Sequence, residues 1–307
     1  MAVFRGRGAR AVLPVFCALG ILCLCGLLAP PTLQAQSLPL YAVHHFDQQL
    51  ETIDPLTGAT LTSQTILLEG QSVQGSWGLD RHPTTGQLYA LLQLSGQVGR
   101  ELVSIDPGTG IATDIGNTGH KLGAITFRRD SLGAVTLYGV AGNSDPTDPD
   151  TLFTLDLSTG APTFVLAFGN GNMGETIAFN PVDGLIYRAY GSGDPNVDQF
   201  LVSVDTVTLA VTDIPLSGDF YNQATALTHW AGNFFLMADH DQNLYVVSTS
   251  GQVRLLSFLE TGVGDTKGLV FTGIPPVCPP PAGTLFTVVN NKQFSSPPSV
   301  LYTLDPV

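Results

Sequence analysis

The sequence predicts an all-β fold: a β-propeller of about six four-stranded antiparallel blades after an N-terminal signal peptide, with five or seven blades as neighbouring solutions. Three observations carry this. One strand–turn–strand phrase recurs about every 50 residues. A second hairpin phrase lies upstream of most copies. No long helical periodicity appears beyond the first 35 residues.

The first phrase is "ELVSIDPGTG" at 101–110. Its relatives are "LETIDPLTG" from Leu50, "LFTLDLSTG" from Leu152, "LVSVDTVTL" from Leu201 and "LYTLDP" from Leu301. The aspartates are Asp54, Asp106, Asp156, Asp205 and Asp305, with gaps of 52, 50, 49 and 100 residues. The long gap holds a degenerate copy, "LYVVSTSG", with Ser248 in the aspartate's place, which makes six. In each phrase an apolar β-rich run meets a turn. The aspartate can accept a bond from a backbone N–H two residues on, Pro107 presets its own φ, and Gly110 tolerates the positive φ that closes the turn.

The second hairpin reads "GLDRHPTTGQLYAL" (78–91), "AITFRRDSLGAVTLYGV" (124–140), "TIAFNPVDGLIYRAY" (176–190) and, more loosely, "ALTHWAGNFFLMA" (226–238). Two hairpins per period give four antiparallel strands. One such sheet cannot bury both faces alone, whereas blades around an axis bury each other's. The first copy lacks an innermost strand and the last stops after "LYTLDPV". The two ends therefore combine in one incomplete blade, or the ring stays open at a truncated last copy.

Residues 1–35 read as the signal peptide and 36–307 as one propeller domain. Arg5, Arg7 and Arg10 precede an uncharged apolar run, Ala11–Ala29, and Leu33-Gln34-Ala35 supplies a cleavage site. The run is long enough to span a bilayer if retained; after cleavage no membrane span is left. Cys23 and Cys25 each follow Leu rather than a small residue, which argues against lipidation. The expected location is secreted, periplasmic or at the cell surface.

The chain is 44% hydrophobic and 12% charged. Three of its 12 basic residues sit in the leader, which has no acid, so nine cations face 25 carboxylates in the remainder, a net charge of −16. Such a surface repels phosphate backbones, and nucleic acid is excluded as a partner. Cys278 is the one cysteine outside the leader, so no internal disulfide staples the fold.

"LYAL", "LVSIDPGTG" and "AFNPVDGLIY" resemble the blades of secreted bacterial propellers of the NHL, YVTN and gluconolactonase-like kind. The resemblance covers nearly all of 36–307 and implies the architecture. These families differ in function, so it implies no single chemistry.

With strands lettered A to D outward from the axis, the short A–B and C–D turns share one face. The longer, more variable B–C loops and D–A crossings share the other, which is the face expected to bind. Its B–C loops, "HHFDQQ" (44–49), "GNSDPTDPD" (142–150), "GSGDPNVD" (191–198) and "ADHDQN" (238–243), bring Asp145, Asp148, Asp150, Asp194, Asp198, Asp239 and Asp241 to an expected acidic rim. Aligning the inner strands puts Trp77, Gly123, Glu175, Thr225 and Lys267 in one column. Gln74, His120, Lys121, Asn172, Met173, Asn222, Gln223 and Asp265 lie nearby, so the channel mouth is read as Trp77, His120, Lys121, Glu175, Asn222, Gln223, Asp265 and Lys267.

Glu175, Asn222 and Asp265 resemble the oxygen-rich axial metal site of gluconolactonase-like propellers. That implies Ca²⁺ or another divalent cation, which could polarise a lactone carbonyl or acidify a water, with a carboxylate as base. His240, between Asp239 and Asp241, is the best histidine for a proton or metal role, so Glu175 and His240 are the catalytic candidates. His82 and His229 fall at turns of the opposite face, and His44 and His45 point to opposite sides of a strand. There is no G-x-S-x-G, H-E-x-x-H, phosphate loop or CxxC. The leading expectation is an exported, non-enzymatic module that binds a protein, glycan or small ligand through its acidic loop face. A divalent-metal hydrolase or lactonase, and a purely structural surface module, are the alternatives.

Overall fold

A computed structural model describes residues 38–169, 176–191, 199–218, 220, 222–260 and 265–273, and the strands Leu285–Val288 and Leu301–Leu304. The chain divides into Met1–Gln36 and Ser37–Val307. The expected leader, Glu175, Asp194, Asp198, Cys278 and Asp305 all lie outside the described residues.

The described residues build five blades. Blade 2 runs outward through Val73–Arg81, Leu88–Leu94, Glu101–Ile105 and Ile111–Asn117; blade 3 through Leu122–Arg129, Val135–Ala141, Thr151–Leu155 and Pro162–Ala167. Blade 4 runs through Thr176–Phe179, Ile186–Tyr190, Phe200–Val204 and Val211–Pro215; blade 5 through Ala224–Ala231, Phe234–Asp239, Asn243–Ser248 and Gln252–Phe258. Blade 1 closes the ring. Its outer strands, Leu40–His44, Gln49–Ile53 and Thr60–Thr65, come from the start of the domain, and its innermost strand is Thr266–Phe271, with Leu40 paired to Phe271.

The count is thus five rather than six. The five phrases from Asp54 to Ser248 each supply one blade's outer hairpin. The sixth lies beyond the ring-closing strand: Leu301–Leu304 pairs with Leu285–Val288 in a separate two-stranded sheet. The innermost strand that the first copy lacks is supplied by Thr266–Phe271, not by the last copy, and the blade it completes has four strands.

Each blade is apolar on both faces because alternate residues of its strands face opposite neighbours. In Leu88–Leu94, Leu88, Ala90, Leu92 and Leu94 pack against blade 1 with Val43 and Leu50. Leu91 and the partly buried Tyr89 pack against blade 3 with Leu137 and Phe153. Equivalent cores join blades 3 and 4 (Val140, Leu152, Ile186, Val202), 4 and 5 (Leu201, Phe235, Val247), and 5 and 1 (Leu244, Leu40, Ile53). Tyr138 and Tyr187, aligned with Tyr89, fill the corresponding interfaces.

The repeated C–D phrase also joins blades. Asp106 accepts the Gly108 amide on Oδ1 at 2.8 Å, and its carbonyl accepts the Gly110 amide at 2.8 Å. The Gly110 carbonyl then accepts the amide of Leu67, on the crossing from blade 1, at 3.0 Å. Gly58 and Gly251 do the same for Glu260 and Ser217, each at 2.8 Å. Leu67–Leu68 and Ser217–Gly218 continue these contacts as short parallel strands on the outer edges of blades 2 and 5.

Candidate functional site

The inner strands begin at the loop face, and residues from their loop-face halves converge on the axis there. Trp77, Gly123, Thr225 and Lys267 line one pocket of about 100 Å³, joined by Lys121 and Gln223 from D–A crossings and Gly142, Asn143 and Ser144 from the B–C loop of blade 3. Four expected mouth residues, Trp77, Lys121, Gln223 and Lys267, are therefore brought together. The sequence reading missed Arg100, which enters from the end of the blade 2 B–C loop. Its guanidinium lies 4.0 Å from the centroid of the Trp77 ring, and Nη1 donates to the Leu122 carbonyl. The only signal for it was an arginine in a loop of the favoured face. Burial pushes Arg100 down to about 9, which leaves it charged at neutral pH.

Lys267 Nζ and His240 Nδ1 both contact Asp265 Oδ2, at 3.0 and 2.9 Å. Burial pushes the Asp265 carboxyl up, but Lys267 and His240 outweigh it and hold it below the usual carboxylate range. Burial lowers Lys267 more than Asp265 raises it. His45 tilts against Trp77 with centroids 4.7 Å apart, while His44 turns the other way, its Nε2 3.3 Å from Glu51 Oε2. Burial, with Lys267 next, pushes His45 down to about 4, so it is neutral at pH 7.

The remaining expected mouth residues sit beside the pocket. His120 stacks on Phe153 at 4.6 Å with Nδ1 3.4 Å from Asp145 Oδ1. Asn222 Oδ1 accepts the Gln223 amide at 2.8 Å. Asp265 is engaged by Lys267 and His240, and Glu175 is outside the described residues, so Glu175, Asn222 and Asp265 are not seen together. Among the described residues no group of three His, Cys, Asp or Glu side chains is placed to hold a metal ion.

The acidic rim needs correcting. Asp145, Asp150 and Asp239 are buried, Asp148 is half-buried, and only Asp241 is exposed among the five described rim aspartates. Short loops leave backbone amides unpaired, and an aspartate can fold back to accept them. Asp145 takes the amides of Thr147, Asp148 and Lys121. Asp239 takes those of Asp241 and Asn243, the Asn243 side-chain amide and the Tyr245 hydroxyl. Asp150 pairs with the buried Arg188 at 3.4 Å.

A larger pocket, about 350 Å³, opens at the other end of the axis. Its floor is apolar, with Leu79, Ile125, Ile177, Leu227 and Leu269 contributed one per blade. Several of its polar groups bond within the scaffold. Asp80 Oδ2 accepts the Phe127 amide at 2.6 Å and Thr126 Oγ1 accepts the Phe179 amide at 3.0 Å, each bond crossing to the next blade. His229 Nε2 lies 3.0 Å from the Gly232 carbonyl. At the loop-face pocket Arg100 Nε and Thr225 Oγ1 are buried and have no hydrogen-bond partner among the described residues.

No family model matches the chain, and no curated protein matches it. Solved structures similar to it include a chain of the "Crystal Structure of Mitotic Checkpoint Complex", 15% identical with a TM-score of 0.41 over 76% of this chain and 78% of that one. A chain of Kuenenia stuttgartiensis hydrazine synthase is 9% identical, also with a TM-score of 0.41, over 68% of this chain and 59% of that one. At these TM-scores the likeness carries no argument, and the propeller assignment rests on the strand pairing described above.

Proposed function

We propose that the chain is an exported, non-enzymatic propeller that binds a protein, glycan or small ligand on its loop face, at the axial pocket around Trp77 and Lys267. The processing pattern of residues 1–35 and the resemblance to secreted bacterial propellers support export. The observation that carries the binding reading is the pair of buried donors that face the narrow pocket. Asp80 and Thr126 at the wide end already bond across blades. At the narrow end Arg100 Nε and Thr225 Oγ1 are buried and bond to none of the described residues, and native folds rarely leave buried polar groups so. The engagement of Asp265 by Lys267 and His240 favours this over the hydrolase reading.

A glycan and small-molecule array tests it, with Lys121→Gln at the loop face and Arg129→Gln at the opposite mouth. Binding weakened by the first and kept by the second is expected. The reverse pattern refutes the assignment of the face.

A further inference from the structure

We infer that the loop-face pocket is a site for one compact oxyanion, the carboxylate, sulfate or phosphate group of a small ligand, gathered by Arg100, Lys121 and Lys267. This rests on the reading of that pocket as the binding site and specifies what it takes.

Cations are scarce in this chain, yet three of the nine outside residues 1–35 line this one pocket. No carboxylate is among its described lining residues. Asp265 is shared between Lys267 and His240. Asp145, the other nearby acid, has its oxygens taken by the amides of Lys121, Thr147 and Asp148 and by His120. Among the described residues Arg100 and Lys121 make no ion pair. The Arg100 charge also helps depress both Lys267 and His45, so Arg100 and Lys267 are close enough to repel. Burying like charges together is unfavourable, and an anion between them reverses the sign of the interaction.

Direction comes from two groups that lack partners among the described residues. Arg100 is 8% exposed and its Nε has none; Thr225 is 1% exposed and its Oγ1 has none. Both can donate, and a ligand oxygen is an acceptor. A hydrogen bond from a charged donor to an anion is about twice as strong as a neutral one.

The negative charge of the whole chain does not prevent this. Exposed carboxylates farther than about 8 Å are largely screened at physiological salt, whereas the three lining cations act at contact. Size sets the other limit. Drug-sized ligands fill roughly 300–1,000 Å³, so a pocket of about 100 Å³ takes a small ion or the charged end of a larger molecule.

The experiment is calorimetry with acetate, sulfate and phosphate at matched ionic strength in chloride, then with glucuronate and glucose 6-sulfate, which carry the same groups on a sugar. The proteins are wild type, Lys121→Gln, Thr225→Val and Arg129→Gln. Lys121 is partly exposed and Thr225→Val keeps side-chain shape, so thermal melts check that both fold. At least one oxyanion is expected to bind wild type, about tenfold weaker in Lys121→Gln, weaker also in Thr225→Val, and unchanged in Arg129→Gln. Tighter binding of a sugar acid than of its free ion identifies a glycan acid as the source; equal binding identifies the free ion. No oxyanion binding above chloride, or equal weakening in all three variants, overturns the inference. Array binding that Lys121→Gln weakens but no oxyanion competes for sinks the anion class alone. Array binding lost only in Arg129→Gln sinks the loop-face reading with it.

Discussion

Gly110 lies so close to the outer strand of blade 1 that a β-carbon on it would stand 2.2 Å from the carbonyl oxygen of Thr65. Its φ is also positive, at 74°. Gly58 and Gly251 show the same pairing of constraints, against Phe258 and Pro215. The glycine of the repeated phrase thus closes its own turn and lets the neighbouring blade approach. Gly119, with φ of 70°, has nothing within 4 Å of its would-be β-carbon. Gly119→Ala should cost only the left-handed backbone strain, about 1–2 kcal/mol. Gly110→Ala should cost about 2–4 kcal/mol, because a contact with backbone atoms adds to that strain. Denaturant midpoints of the two variants measure the difference; equal losses would mean that the blade contact is unimportant.

The fourth copy of the phrase supplies a gain rather than a loss. Leu209 stands where three other copies have Gly58, Gly110 and Gly160, and it adopts φ of 60°. Its amide still closes the turn on the Asp205 carbonyl at 2.8 Å. Leu209→Gly removes the strain but adds freedom to the unfolded chain, which recovers part of it. A net stabilisation of about 0.5–1 kcal/mol is expected, read as a raised thermal midpoint.

Asp239 and Asp241 are two residues apart in one loop and should respond very differently to truncation. Asp239 is buried and accepts four bonds, including that of the Tyr245 hydroxyl at 2.9 Å. Asp239→Ala leaves several donors without an acceptor and should cost about 3 kcal/mol. Asp241 is exposed, and Asp241→Ala should stay within about 0.5 kcal/mol. Chemical denaturation of both variants checks the contrast.

That pair shows what the sequence could convey. Local turn chemistry repeats, so Asp106 and Gly110 were readable, and with them the hairpins and the alignment that brings Trp77, Gly123, Thr225 and Lys267 to one mouth. Blade number was not readable, because the phrase at Leu301 has the same local grammar as the others. The count depends on which distant strand pairs with Leu40–His44, and that strand is Thr266–Phe271. The acidic rim failed for a related reason: an aspartate in a short loop looks the same in sequence whether it faces water or its own loop's amides. Arg100 belongs to no repeated phrase and reaches the mouth through a non-local approach to Trp77 and Leu122.

Asp80 makes stability depend on pH. Burial pushes its carboxyl up to about 6, although the amides of Phe127 and Arg81 and the hydroxyl of Thr126 pull the other way. The unfolded chain has an ordinary aspartate pKa near 3.9. Between those values the folded state holds the proton more tightly, so protonation favours folding. The stability this group contributes is full below about pH 4 and is lost as pH rises through about 6. Wild type should therefore decline over that window relative to Asp80→Asn, whose amide does not titrate there. The slope is the informative quantity, since the amide also disturbs the bonds to Phe127 and Arg81 by an amount independent of pH. Urea denaturation at intervals from pH 4 to 7 gives the two slopes. If they are parallel, or if the Asp80 carboxyl titrates near 4 by NMR, then its bonds across to blade 3 outweigh its burial.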